Sequence, residues 1–354
     1  ILGVAFFGLT VFTSQCFAQS SLNSDDGARK DRQYLEIINS LYYYIQQNYV
    51  DEVDAQKLYE GALRGMLESL NDPYSVYMDE SSWRSITDTT TGSFGGVGLS
   101  ITKPTENKPD KPAYVEVAQP IDNSPGAKAG IQAGDLITHI DGVDTSTLTM
   151  DEVLSRLRGT VGTSVEVTIQ RGKNLTFKRT LVRAVIENPT VKYGIVNKSG
   201  YIRLSEFSST TAERLQEALD SFKNSNINGI ILDLRNNGGG LLTAAVDIGD
   251  KFIDSGVIVS TKSRLAMENA VYTASRYETT VKAGTPVIVL INGASASASE
   301  ILAGALKDAK VAYLVGENSY GKGSVQIPTP LINKDGFKIT VARYYSPSDA
   351  NIDK

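Results

Sequence analysis

Histidine and cysteine are almost missing from this 354-residue chain, which carries one of each, His139 and Cys16. Ser-His-Asp and Cys-His catalysis, and most zinc sites, need an imidazole or a thiolate beside the reacting atoms. If His139 is structural, the imidazole mechanisms fall together. Cys16 lies within the first apolar stretch, so beyond residue 18 there is neither a disulfide framework nor a cysteine-based metal cluster, and stability must come from packing. An excess of positive charge is lacking as well. The formal net charge is −5, and basic residues such as Lys108, Lys111, Arg156 and Arg158 are scattered rather than massed into one stripe. No nucleic-acid partner is expected.

With 41% hydrophobic residues, the chain can bury a substantial core and has room for two or three domains. Residues 1–18, ILGVAFFGLTVFTSQCFA, form an apolar run of signal-peptide length, with Cys16 and Ala18 placed for cleavage after Ala18. Export is expected, to a periplasmic or otherwise extracytoplasmic location. An uncleaved membrane anchor is the alternative. Residues 19–31 are polar and are expected to be a linker. Across residues 32–90, apolar residues fall at helical spacing (Leu35, Ile38, Leu41, Ile45, then Leu58, Ala62, Met66), broken by NYVDEVD. Two amphipathic helices follow, forming either a helical cap on the main body or a dimerisation arm.

From residue 94 to 185 the texture changes to short β-type runs between Gly, Asp and Asn, such as AYVEVAQ, DLITHIDGV and SVEVTIQRG. One helix is signalled inside this module by the capping-box pattern Thr149 to Glu152. From residue 186 to 354, strands alternate with helices. The continuous apolar runs GIILDL and PVIVLIN, each followed by a helix, predict parallel strands buried on both faces and hence an α/β core.

Three segments carry chemistry. In PVIVLINGASASASEILAGALKDAK a buried strand passes through small residues into a helix starting near Ala298, which puts Ser297 at a helix N-terminus. Unpaired N–H groups and a partial positive charge there suit an oxyanion formed in acyl transfer. Ser295, Ser297 and Ser299 are equally readable as helix caps. The second segment, Gly316 to Ser324, imitates a phosphate-binding loop. It has Gly323 where a magnesium-binding Ser or Thr is required, and SVQIPTP cannot open a helix, so nucleotide binding is rejected. What remains is Lys322, presented by a glycine turn at the edge of a sheet, a place where partial burial would depress its pKa and make Ser-Lys catalysis chemically coherent. Gln326 is placed to orient the amine without adding charge. The third segment is Asp233-Leu-Arg235-Asn-Asn-Gly238-Gly-Gly240, a strand emptying into three glycines. It reads either as half of an oxyanion hole or as a tight strand-to-helix turn, with Asp233 and Arg235 as a structural pair.

Together, SASASEILAGAL, YGKGSVQ and LRNNGGG resemble the carboxy-terminal processing proteases, serine peptidases of family S41 that include the tail-specific proteases. The resemblance runs from about Tyr34 to the C-terminus. It implies a serine endopeptidase with Ser297 as nucleophile, Lys322 as base, Gln326 positioning the lysine, and the N–H groups of Gly239 and Ala298 as the oxyanion hole, with Gly238 and Gly240 as alternatives to Gly239. It implies a crotonase/ClpP-like α/β core, a parallel sheet with helices, carrying an inserted β-rich PDZ domain and an N-terminal helical cap. The PDZ loop Gly95, Gly96, Val97, Gly98 and Leu99 would hold a substrate's C-terminal carboxylate, and Arg158 would bridge the PDZ domain to the core as a regulatory contact. His139 becomes an ordinary PDZ residue. The partners implied are proteins or peptides with apolar C-termini, cleaved near those ends, with no cofactor or metal. Membrane association through the N-terminus and homo-oligomerisation are left open. The family pattern continues past Lys354, so the C-terminus is expected to be truncated. The contrasting reading is a PDZ-type binding protein with a degenerate protease scaffold.

Overall fold

A computed structural model describes residues 25–107 and 112–353. The expected signal or anchor segment, with Cys16 and Ala18, and the first part of the expected linker lie outside these residues. The chain divides into two compact units, residues 1–71 and 72–354.

In the first unit, helices Asp25–Asn48 and Ala55–Glu68 are the two that the apolar periodicity predicts. Residues 25–31 belong to the first of these and not to a linker. Their run DDGARKD has no proline, and its lone glycine costs a helix only about 1 kcal/mol. The second helix begins at Asp54, whose carboxylate accepts the N–H groups of Gln56 and Lys57 at 2.8 and 3.4 Å. The apolar stripe along the first helix is open, with Leu35, Ile38 and Leu41 all exposed.

In the second unit, a β module is built on an antiparallel sheet ordered Leu99–Thr102, Val115–Pro120, Leu136–Ile140, Ser164–Arg171 and Leu175–Val182, with Val143–Asp144 beside the third strand. Alternate residues of these strands (Val115 and Val117; Val165, Val167 and Ile169) meet Ile137, Val153 and Leu157 in one apolar core. Helix Met150–Leu157 starts with the expected capping box: Thr149 Oγ1 accepts the Glu152 N–H at 3.2 Å, and the Glu152 carboxylate accepts the Thr149 N–H at 2.7 Å. The chain enters and leaves the module through two paired strands, Ser93–Gly96 and Ala184–Glu187, with Phe94 opposite Ile186. This is a PDZ domain inserted into the chain. His139 lies on its strand Leu136–Ile140, with Nδ1 3.1 Å from Thr138 Oγ1.

The α/β core holds a second sheet ordered Val191–Val196, Ser199–Leu204, Gly229–Asp233, Val287–Ile291 and Tyr313–Gly316. The last four strands are parallel, as the continuous apolar runs require. Helices Thr211–Phe222, Leu242–Asp250 and Ala298–Asp308 bury their apolar faces with it, joining Leu215, Ile248, Leu302 and Leu306 to Ile202, Leu232 and Val289. Each such side chain contributes about 1.5–3 kcal/mol by leaving water.

The pairings of a third sheet were not legible in the sequence, which predicts only a sheet edge at Lys322. Strand Gly336–Tyr345 pairs antiparallel with Val76–Met78, Ser255–Ser263 and Ser324–Pro330, and Ser255–Ser263 pairs in turn with Ala270–Ser275. Ser324–Pro330 contains Pro328 and Pro330, which an edge strand tolerates because one side of its ladder is empty. This sheet places Lys322 and Gln326.

Candidate active site

Strand Val287–Ile291 ends in Asn292, and the chain then turns through small residues into helix Ala298–Asp308. Ser297 caps that helix at φ 56° and ψ −116°, a conformation a serine rarely adopts, which stores about 1–3 kcal/mol of strain. Its neighbours hold it there. The buried Ser295 hydroxyl donates to the Leu234 carbonyl at 2.8 Å and accepts the Asn292 N–H at 3.0 Å, and the buried Ser299 hydroxyl donates to the Asn237 carbonyl at 2.9 Å. Two of the three serines are thus engaged in structure. Ser297 lines a cavity of about 500 Å³ together with Lys322, Gln326, Gly239, Thr243 and Tyr344.

A residue missed in the sequence ties the nucleophile turn to the lysine turn. Glu300 is only 4% exposed. Its carboxylate accepts the Ser297 N–H at 2.8 Å, the Lys322 N–H at 2.9 Å and the Gly321 N–H at 2.6 Å. The pattern Ser297-x-x-Glu300 is a capping-box spacing, so the signal was present. The same bonds explain why the Gly316–Ser324 segment is no phosphate cradle: N–H groups that would face phosphate already face a carboxylate.

Lys322 is partly buried. Burial is the main reason its ammonium is held below the ordinary lysine range, and the Lys338 charge acts in the same direction; Asp72 and Glu300 pull partly back. Its Nζ sits 4.8 Å from the centre of the Tyr74 ring, a cation–π contact, and makes no hydrogen bond to Ser297 among the described residues. Gln326 lines the same cavity without bonding to the lysine. Its amide nitrogen donates to Ser324 Oγ at 2.9 Å and to Thr340 Oγ1 at 3.1 Å, and its amide oxygen has no partner among the described residues.

The glycine turn packs directly on the nucleophile. A methyl group added at Gly239 would lie 2.7 Å from the Ala296 carbonyl oxygen, 2.8 Å from Ser297 Cβ and 3.0 Å from the Ala298 nitrogen. Gly239 therefore packs against Ser297, and its N–H does not face the cavity as a donor: it donates to Asn237 Oδ1 at 2.9 Å. The physical reason is Asn237, fully buried, whose side-chain nitrogen donates to the Leu204 carbonyl at 3.0 Å and so aims its oxygen at Gly239. Asn237 also takes the Ala296 N–H on its own carbonyl at 3.0 Å. It clamps the two halves of the site together, a role with no spacing signal. The N–H groups of Ala298, Gly238 and Gly240 carry no hydrogen bond among the described residues, and both glycines line the cavity. Before the turn, Asp233 is the structural partner expected. Burial would raise its carboxyl, but Arg235 at 2.8–2.9 Å and the Tyr201 hydroxyl at 2.6 Å outweigh this and hold it at about 2.

The expected carboxylate loop is divided. Gly95 and Gly96 sit in the two-stranded ladder opposite Val185 and Ala184, and Gly95 packs against the Gly159 carbonyl, leaving no room for a side chain. Val97 is in the module's core. The Gly98 carbonyl accepts the Ile121 N–H at 2.9 Å and the Ser124 hydroxyl at 3.0 Å, and Leu99 opens the edge strand Leu99–Thr102. Arg158 does not line the catalytic cavity. It pairs with Asp88 of helix Glu80–Thr91 and lies 4.4 Å over the centre of the Phe94 ring. Ile86, Thr89 and Thr90 of that same helix do line the cavity.

Among the described residues there is no cluster of three or more His, Cys, Asp or Glu able to hold a metal, and no helix is long and apolar enough to cross a membrane.

A family model for peptidase family S41 matches residues 198–354, one for the activating protease CtpB N-terminal domain matches residues 2–82, and a PDZ domain model matches residues 116–171. The chain is 39% identical to a carboxy-terminal-processing protease of Bartonella bacilliformis, over 99% of this chain and 80% of that one. It is 32% identical to the carboxy-terminal processing protease CtpA of Bacillus subtilis, over 97% and 71% of the two chains. It is 38% identical to a carboxyl-terminal-processing protease of Synechocystis, over 83% and 68%.

Proposed function

The chain belongs to peptidase family S41, as a carboxy-terminal processing serine peptidase with a PDZ domain, and from that premise we propose that Ser297 is its nucleophile and Lys322 its general base. One observation carries this: a single buried carboxylate, Glu300, takes the backbone N–H of both residues and so fixes the two turns against each other. In the reaction, neutral Lys322 takes the Ser297 proton, and the serine oxygen attacks the scissile carbonyl. The oxyanion is met by the free N–H of Ala298 and one N–H of the glycine turn, Gly238 or Gly240 while Gly239 is held by Asn237. The Lys322 ammonium returns the proton to the leaving amine, and water then hydrolyses the acyl-enzyme. Lys322 reaches the serine by swinging off the Tyr74 ring, a torsional move within its four-carbon stem, and the free amide oxygen of Gln326 receives its remaining N–H groups.

The PDZ module reads an apolar substrate C-terminus, the peptide adding along the open edge strand Leu99–Thr102 beside the Gly98 loop. Arg158, through Asp88, reports the module's position to the cavity-lining helix Glu80–Thr91. Exported proteins are the substrates, consistent with the apolar run of residues 1–18. The test is cleavage of a peptide with an apolar C-terminus by the parent protein, Ser297→Ala and Lys322→Ala. Each substitution is expected to lower kcat by at least about 10³-fold, with EDTA without effect. Equal cleavage by all three overturns the dyad.

A further inference from the structure

Tyr344 is the second-last residue of strand Gly336–Tyr345 and is 1% exposed, among the largest fully buried side chains of the protein. Its ring packs in the α/β core, its N–H donates to the Gly323 carbonyl at 2.9 Å, and its side chain reaches the catalytic cavity beside Ser297 and Lys322. Its hydroxyl has no hydrogen-bond partner among the described residues. A buried hydroxyl without a partner is a net cost to folding, and phenylalanine would fill the same space without it. Such a group calls for an explanation outside stability.

We infer that the Tyr344 hydroxyl is a further catalytic donor, hydrogen-bonding the Ser297 oxygen while negative charge develops on it. This rests on Ser297 being the nucleophile. As the serine proton passes to Lys322, the oxygen acquires alkoxide character beside a buried phenol, where a preorganised neutral donor is worth more than a water molecule. When the acyl-enzyme breaks down, the same oxygen leaves and is again stabilised until Lys322 returns its proton. Tyr344 keeps its own proton throughout. Burial first and the Glu300 charge second push its phenol well above the ordinary tyrosine range, and the neighbouring Ser297 hydroxyl acts in the opposite direction without overcoming them. A group so reluctant to ionise donates without competing with Lys322 as the base. Lys322 and Tyr344 thus have divided tasks: one moves the proton, the other steadies the oxygen it leaves.

The test is Tyr344→Phe, which keeps the ring and removes one oxygen. Three readouts are made: kcat and KM on the apolar-ended peptide, the rate of covalent labelling by a fluorophosphonate with the labelled residue identified by mass spectrometry, and the thermal midpoint. The expected result is a fall of roughly 10- to 100-fold in both kcat and the labelling rate, with KM unchanged and a thermal midpoint equal to or above that of the parent. Labelling of Ser297 at the parent rate overturns this role alone. A marked loss of thermal stability also overturns it, since it would show the hydroxyl to be a structural hydrogen bond. Label attached elsewhere than Ser297 in the parent overturns the nucleophile and this donor together.

Discussion

Replacing Glu300 by glutamine should separate positioning from chemistry at this site. The carboxylate accepts three backbone N–H groups, two on one oxygen (Ser297 and Lys322) and one on the other (Gly321). A glutamine has one acceptor oxygen. If that oxygen keeps the Ser297 and Lys322 pair, the amide NH₂ is driven against the Gly321 N–H, donor to donor, in a site that is 4% exposed. A hydrogen bond to a charged group contributes about 1.5–3 kcal/mol, so one bond lost and two weakened amount to roughly 3 kcal/mol of stability. Glu300→Gln should therefore lower the unfolding free energy in urea by about that much. The lysine turn loses its anchor, and a small displacement of the base should lower kcat by about 10²-fold while KM stays within about twofold. The pH profile adds a signed test. The Glu300 charge raises the Lys322 pKa, so its removal should move the ascending limb of the rate toward lower pH. Parent-like stability, or a limb moved to higher pH, would show that Glu300 does not anchor the lysine turn.

Gly239→Ala should be among the most damaging single-methyl changes, because φ is +103° and the added carbon meets Ala296, Ser297 and Ala298 within 3.0 Å. A loss of about 2 kcal/mol in thermal unfolding and of about 10²-fold in kcat is expected, whereas Gly238→Ala, with nothing within 4 Å, should keep its stability. Asp233 is held at about 2 against an ordinary 3.8. Its pairing is thus fully stabilising above about pH 4 and is lost as pH falls toward 2. Asp233→Asn should remove about 2 kcal/mol at neutral pH and flatten acid unfolding over that window; an unchanged acid limb in urea titrations would count against it.

Features written in continuous or periodic apolar pattern were legible from the sequence. The runs GIILD and PVIVLI became parallel strands, and the Thr149 capping box started its helix. A sheet edge beside Lys322 was legible, but the strands that pair there were not, because they mix exposed and half-buried positions and one contains two prolines. Spacing alone could not choose among Ser295, Ser297 and Ser299. The choice depends on which hydroxyls meet carbonyls of Leu234 and Asn237, more than fifty residues away in the chain. Glu300 could have been found from its spacing to Ser297. Asn237 and Tyr344 could not, since their roles arise only where distant turns and strands meet. The direction of the Gly239 N–H is likewise set by a side chain two residues earlier that no motif marks.

If a lysine held below its ordinary pKa by burial removes the serine proton, the pH dependence of kcat/KM must show it. For the parent, activity is expected to rise with pH through a single ionisation below the reference lysine value of about 10.4. Lys322→Arg, which keeps the charge but cannot lose it, should abolish both the limb and the activity. A profile flat across that range, or an arginine variant as active as the parent, would contradict it.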